Sequence, residues 1–236
     1  MTPPGKPLED YWNDEAQEQA KRYFWLEDGQ DLMLRYLREI TNLERGLAAG
    51  LTFAMEHGGP ARSFLEVAAG VGWAAALGCV AMDAERVLAF DISRHRLRFA
   101  PAAWKALGAD PARLRVLEAD FLRHRPEGPP YDAVLFCQGA YMFQDLPELF
   151  AAARLWLKPG GWVLVANEAA EGQGDQAPAE PDVTGRWTYG AGHYASALEQ
   201  AGFTPLVQDL PFPIYPALAG QGNARNILGI ASGEKS

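Results

Sequence analysis

Three carboxylates stand at comparable places in the middle of the chain, each at or just beyond the end of a short apolar run: Glu66 within SFLEVA, Asp91 after RVLAF and Asp120 shortly after LRVL. The turn AAGVG follows Glu66, and its Gly70 and Gly72 permit a tight bend that a ligand can approach without interference from a Cβ. Asp91 follows Gly70 by about 20 residues, the separation at which a carboxylate accepts from ribose hydroxyls. A dinucleotide and an adenosyl ligand satisfy that much equally. Glu66 and Asp120 separate them. A carboxylate directly before the turn repels a pyrophosphate but accepts from a ligand ammonium, directly or through water. Asp120 can accept from an adenine amino group while Phe121 packs near the ring. An acid-lined pocket suits a ligand carrying a sulfonium and an α-amino group.

These residues need a scaffold that brings strand ends together. Beyond Pro60 short apolar runs alternate with helical stretches. Strands are expected at 63–68, 86–90, 114–117, 131–136 and 162–166, with helices at 74–82, 93–107 (capped by Ser93) and 146–157. Strands without a polar face imply a parallel sheet covered on both sides, and right-handed crossovers make it doubly wound. Ligands then sit outside the carboxyl ends of the strands, where the strand order reverses. Cys137-Gln138-Gly139 joins the three acids at that edge. A polar loop at 171–181 precedes a helix near 191–201 and strands near 203–207 and 225–231. Ahead of Pro60 the pattern is helical, at 10–26 and from an N-cap at Asp31 through Leu47, with a further turn or two at 51–56. We therefore expect an N-terminal helical extension or lid over residues 1–60 and a ligand-binding domain over 61–236, with one core.

Composition narrows the partners. The net charge of −9 opposes a phosphate backbone, so nucleic acid is an unfavourable substrate. Basic clusters at Arg94–Arg98, Arg113–Arg115 and Arg123–Arg125 read as solvated faces. No apolar stretch approaches the roughly 20 residues that cross a bilayer. The N-terminal segment lacks the apolar centre of a secretory signal, so the expected location is cytoplasmic. Cys79 and Cys137 form no CxxC pair and read as buried fillers; with four scattered histidines, no protein-built metal site is expected.

From about Arg62 to Ala166 the chain resembles the class I S-adenosylmethionine-dependent methyltransferases. FLEVAAGVG resembles the family's glycine-rich motif, AFDIS its acidic second strand and EADF its adenine motif. YDAVLF resembles its fourth strand and LKPGGWVLVANE its fifth-strand signature. The resemblance implies S-adenosylmethionine as cofactor and a seven-stranded, mostly parallel Rossmann-like sheet with an antiparallel strand beside the fifth. It also implies that Glu66, Ala68, Gly70 and Gly72 line the methionine side, that Asp91 and Ile92 hold the ribose and one adenine face, and that Asp120 and Phe121 hold the adenine. Cys137 and Gln138 then lie near the transferable methyl. Ala68 departs from the glycine frequent at its position in the family.

Methyl transfer from a sulfonium is an in-line displacement with an activated leaving group, so alignment can supply much of the catalysis. A hydroxyl or protonated amine acceptor calls for a base. His193, in GHY at the start of a helix, can serve or can simply pack there; Tyr141 can orient a substrate or wall the pocket. Tyr23, Phe24, Trp25, Tyr36, Trp187 and Tyr189 can line an aromatic acceptor pocket or fill a core. The expectation is a methyltransferase for a small, apolar or aromatic molecule, with a homodimer plausible from the N-terminal aromatics. The alternatives are a protein or RNA methyltransferase, a nicotinamide dehydrogenase, and a non-catalytic module that binds the same cofactor. CQGA after the fourth strand lacks the NPPY-like form that would favour RNA, and Asp120 with KPGG disfavours the dehydrogenase.

Overall fold

The computed structural model describes residues 34–170, 187, 189–217 and 222–232. The expected helix at 10–26, Asp31, the loop at 171–181 and the aromatics Tyr23, Phe24 and Trp25 lie outside the described residues.

Seven strands form one sheet: β1 (Ser63–Val67), β2 (Arg86–Asp91), β3 (Leu114–Glu118), β4 (Tyr131–Cys137), β5 (Leu157–Ala170), β6 (Phe203–Asp209) and β7 (Ala224–Ala231). Their order is β3-β2-β1-β4-β5-β7-β6. The first five run parallel and β7 is antiparallel to both β5 and β6. The order reverses between β1 and β4, so the ligand crevice of a doubly wound sheet opens there.

The period-2 alternation of each central strand feeds two cores. Phe64, Leu135 and Leu164 face one side, under α1 (Leu43–Gly58), α2 (Trp73–Met82) and α4 (Ala100–Ala106). Leu65, Val134, Phe136, Val163 and Val165 face the other, under α5 (Leu146–Arg154) and α6 (Ala191–Gln200). The short helix α3 (Arg94–Leu97) precedes α4. The single helix expected over 93–107 is divided, because Pro101 lacks the N–H that a continuous helix would need. Ser93 caps α3 as expected, its Oγ accepting from Arg96 N at 3.4 Å.

The expected helix from Asp31 through Leu47 is also broken. A π-helical turn, Tyr36–Ile40, ends at Thr41, whose backbone is extended (φ −124°, ψ 170°). The Thr41 hydroxyl donates to Tyr36 O at 2.6 Å, and α1 starts afresh at Leu43. Leu43, Leu47, Leu51 and Ala54 are buried with the sheet's own residues, so 43–58 forms part of the covering layer of the sheet. Among the described residues no helix is long and apolar enough to cross a membrane.

Candidate active site

Glu66, two residues after Phe64 on β1, shares its face and so points toward α2. The Glu66 side chain is buried, and its Oε2 accepts from Ala75 N at 2.7 Å in the first turn of that helix. Burial pushes the carboxyl well above its ordinary value, opposed by the Ala75 hydrogen bond and reinforced by Asp91. Among the described residues no ion pair reaches it. A buried carboxylate at a helix N-terminus, without a cation, is a site where a positively charged ligand gains most.

The turn after β1 is built from left-handed residues: Ala68 (φ 55°), Gly70 (φ 58°) and Gly72 (φ 69°). Ala68 takes the left-handed conformation that glycine adopts freely and that alanine adopts only at a cost of about 1–2 kcal/mol. Asp91, at the end of β2, ties the turn down. Its Oδ2 accepts from Gly70 N at 2.7 Å and its Oδ1 from Ser93 N at 2.8 Å. Burial raises the Asp91 carboxyl, while those amides and Arg96 hold it down. Ile92 is half-buried beside it. Asp91 thus fixes the β1 and β2 ends relative to each other, and any ribose contact uses lone pairs left after those bonds.

Asp120 lies on the rim. Its Oδ1 accepts from Leu122 N at 3.1 Å and its Oδ2 pairs with Arg123 at 3.3 Å. Next to Asp120 lies the ring of Phe121, expected to pack near an adenine. That ring is 3% exposed and sits edge-on to Phe90 at 5.3 Å and stacked with Trp156 at 6.2 Å. It is core. His124, expected on the surface, stacks on the same Trp156 at 6.0 Å.

The β4 end is organised differently. Cys137 is buried, its Sγ accepting from Asn167 Nδ2 at 3.6 Å, and burial beside Glu66 and Glu168 pushes the thiol well up. Its side chain packs among buried residues at the end of β4. Gln138 takes a left-handed backbone (φ 58°). Its Nε2 donates to Asn167 O, and its Oε1 accepts from Tyr215 OH at 2.5 Å. A Cβ on Gly139 would come within 2.9 Å of Val67 O, so only glycine lets the turns after β1 and β4 approach this closely.

Two residues of this end went unassigned in the sequence. Asn167 is left-handed (φ 64°), at the register shift between Val165 and Ala169. Glu168 is a half-buried carboxylate that accepts from Gly139 N (2.8 Å), Ala140 N (3.0 Å), Tyr141 N (2.9 Å) and Tyr194 OH (3.2 Å). Burial raises this carboxyl and the backbone amides hold it down. The signal was available: Glu168 ends an apolar strand, as Glu66 and Asp91 do.

Tyr141 and His193 belong to one clamped assembly. Tyr141 O accepts from Trp187 N at 2.8 Å. Tyr189 OH donates toward Phe143 O and Gln144 O, both at 2.9 Å, and the His193 ring stacks on Tyr189 at 4.9 Å and 9°. Tyr189 is 1% exposed, so its ring is a wall support, and the half-buried Tyr141, Trp187 and His193 face the cluster's outer side. Desolvation pushes the Tyr189 phenol up to about 12. Among the described residues no group of His, Cys, Asp and Glu could hold a metal ion.

The arrangement fits the expected cofactor on its own geometry. The turn after β1 carries glycines at Gly70 and Gly72, Glu66 offers a buried carboxyl, and the close approach at Gly139 brings the turns after β1 and β4 together. Comparison with known proteins adds the family. A methyltransferase-domain family model matches residues 36–208, which includes α1. No curated protein matches the sequence. Among solved structures, the chain is similar to 1,6-didemethyltoxoflavin-N1-methyltransferase of Burkholderia thailandensis, solved with 1,6-didemethyltoxoflavin and S-adenosylhomocysteine. The identity is 19%, the coverage 98% of this chain and 93% of that one, and the TM-score 0.64. It is also similar to magnesium protoporphyrin IX methyltransferase of Synechocystis PCC 6803, solved with S-adenosylhomocysteine (13% identity, 95% and 98% coverage, TM-score 0.63). An O-methyltransferase family protein of Burkholderia thailandensis has 16% identity, 96% and 71% coverage and a TM-score of 0.59. The strand order, the occupied motif positions and the family match over 36–208 together make the chain a member of the methyltransferase domain family, of the class I S-adenosylmethionine-dependent kind.

Proposed function

We propose that the protein methylates a small apolar or aromatic molecule, with the cofactor laid across the carboxyl ends of β2, β1 and β4. The supporting observation is the cluster beside the β4 turn. Tyr141, Trp187 and His193 are half-buried beside a turn whose Gly139, Ala140 and Tyr141 amides are held by Glu168. Such a surface offers flat apolar area at fixed positions, which suits a planar acceptor better than an extended polymer. The net charge of −9 points away from RNA.

S-adenosylmethionine supplies an electrophilic methyl on a sulfonium when bound. The chain's residues bind and orient. Glu66 places negative charge under the methionine side, opposite to the ligand's cationic groups. Asp91, locked by Gly70 and Ser93, presents its remaining lone pairs to the ribose, and Ile92 and Asp120 border the adenine. Gln138 stands at the reacting end. His193 is the group that would take a proton from a hydroxyl or ammonium acceptor, and Tyr141 would orient that acceptor. Because 43–58 packs with the sheet, the boundary of the N-terminal extension falls at Thr41 in this reading and not at residue 60.

The similar structures named for 1,6-didemethyltoxoflavin and magnesium protoporphyrin IX support a small-molecule acceptor. Incubation with methyl-labelled S-adenosylmethionine and separate pools of planar phenols, ring nitrogens, RNA and protein tests the proposal. Label should pass only to small molecules, and His193→Ala should slow transfer while leaving S-adenosylhomocysteine binding intact. Label appearing in RNA or protein instead would overturn it.

A further inference from the structure

The β6–β7 loop and the start of α1 meet at the β4 end in a closed ring of hydrogen bonds. Asn42 N donates to Ile214 O at 2.8 Å, and Asn42 Nδ2 donates to Pro213 O at 2.7 Å. The next residue on that loop, Tyr215, donates its hydroxyl to Gln138 Oε1 at 2.5 Å. Gln138 Nε2 donates to Asn167 O. Asn167 Nδ2 donates to Leu43 O at 2.9 Å, returning the ring to the residue after Asn42. Four stretches far apart in the chain therefore fix one side chain.

We infer that Tyr215 is a positioning residue for methyl transfer, acting through the carboxamide of Gln138. The inference rests on the proposed placement of the cofactor, with its ribose at Asp91 and its reacting end across the switch point at β4. Three features carry it. A carbonyl oxygen only accepts, so Asn167 O allows one orientation of the Gln138 amide, with Nε2 toward it and Oε1 toward Tyr215. Gln138 also holds a left-handed backbone that glutamine rarely adopts, and a residue kept so at a crevice is held there by its surroundings. The same ring spends the Asn42 side chain on Pro213, so Asn42 precedes α1 without capping it. Cap stabilisation is given up in favour of holding this loop.

The positioned group is an amide whose oxygen bears partial negative charge. S-adenosylmethionine and S-adenosylhomocysteine differ only by the methyl and its charge, so the ratio of their affinities reports on that end alone. Calorimetric titration of both ligands into the unaltered protein, Tyr215→Phe, Gln138→Ala and the double variant tests the inference. Tyr215→Phe should leave S-adenosylhomocysteine affinity within about twofold and weaken S-adenosylmethionine about fivefold relative to it. In the Gln138→Ala background the loss of the phenol hydroxyl should move the ratio no further. Asn42→Ala, which releases the loop from outside the crevice, should shift the ratio in the same direction. Equal weakening of both ligands, an unmoved ratio, or a shift that persists without Gln138 would overturn the inference. Failure of the unaltered protein to bind either ligand would instead overturn the cofactor placement.

Discussion

The two ends of the crevice are built by different means. At the β2 end Asp91 does the tying, and its partners, Gly70 and Ser93, are 21 and 2 residues away. At the β4–β5 end the ties join Gln138 to Tyr215 across 77 residues, Asn167 to Leu43 across 124, and Asn42 to Pro213 across 171. A half held by near neighbours leaves a motif in the sequence. A half held by distant ones does not. The first suits the part of a ligand that never changes, and the second the part that differs between acceptors.

Glu168→Gln gives the largest effect and strikes the second half. The amide keeps one acceptor oxygen but turns an N–H toward backbone amides that need an acceptor. Facing Tyr141 N with an N–H and losing the charge on the bonds to Gly139 and Ala140 should cost about 3 kcal/mol, read as a lower urea midpoint at unchanged slope. A midpoint within error of the unaltered protein would mean that the β4 turn does not depend on this carboxylate.

Asp91→Ala strikes the first half and separates binding from folding. It removes the acceptor for Gly70 N and Ser93 N together with any ribose contact. Charge-assisted bonds of this kind are each worth roughly 1.5–3 kcal/mol, so S-adenosylhomocysteine affinity should drop by about ten- to a hundredfold. Retained affinity would place the ribose elsewhere.

Glu66→Gln tests the buried anion through pH. Burial raises this carboxyl in the folded protein above its value of 4.5 in the open chain. Its contribution to stability is therefore full below that value and is lost as pH rises through the raised one. The glutamine variant should melt higher than the unaltered protein at pH 8, with the gap closing toward pH 4, and should bind S-adenosylmethionine more weakly. A gap that does not depend on pH would contradict the assignment.

The smallest effect belongs to Ala68→Gly. A left-handed alanine costs about 1–2 kcal/mol, of which glycine's greater freedom in the unfolded chain returns about half. Stability should rise by about 0.5 kcal/mol, measured by urea unfolding. A fall would show that the Ala68 methyl, near the Gly139 approach, contributes packing.

The strand periodicity and the acids at strand ends made the sheet legible, because each signal spans fewer than ten residues or so. Glu66, Gly70 and Asp91 were readable for the same reason. The packing of the Phe121 ring was not readable, because the EADF motif fixes where the backbone goes but not which face the ring takes, and Phe90 and Trp156 decide that. The break at Thr41–Asn42 was hidden because the apolar spacing of Tyr36, Ile40, Leu43 and Leu47 continues across it. Asn42, at the break, bonds to Pro213 and Ile214, far along the chain. Tyr215 carried no local mark at all.

Isothermal titration of the purified protein with S-adenosylhomocysteine, with NAD in a parallel cell, tests the central claim most directly. The account predicts micromolar binding of S-adenosylhomocysteine, none of NAD, and a sharp loss on Asp91→Ala. Binding of NAD alone, or of neither ligand, would contradict it.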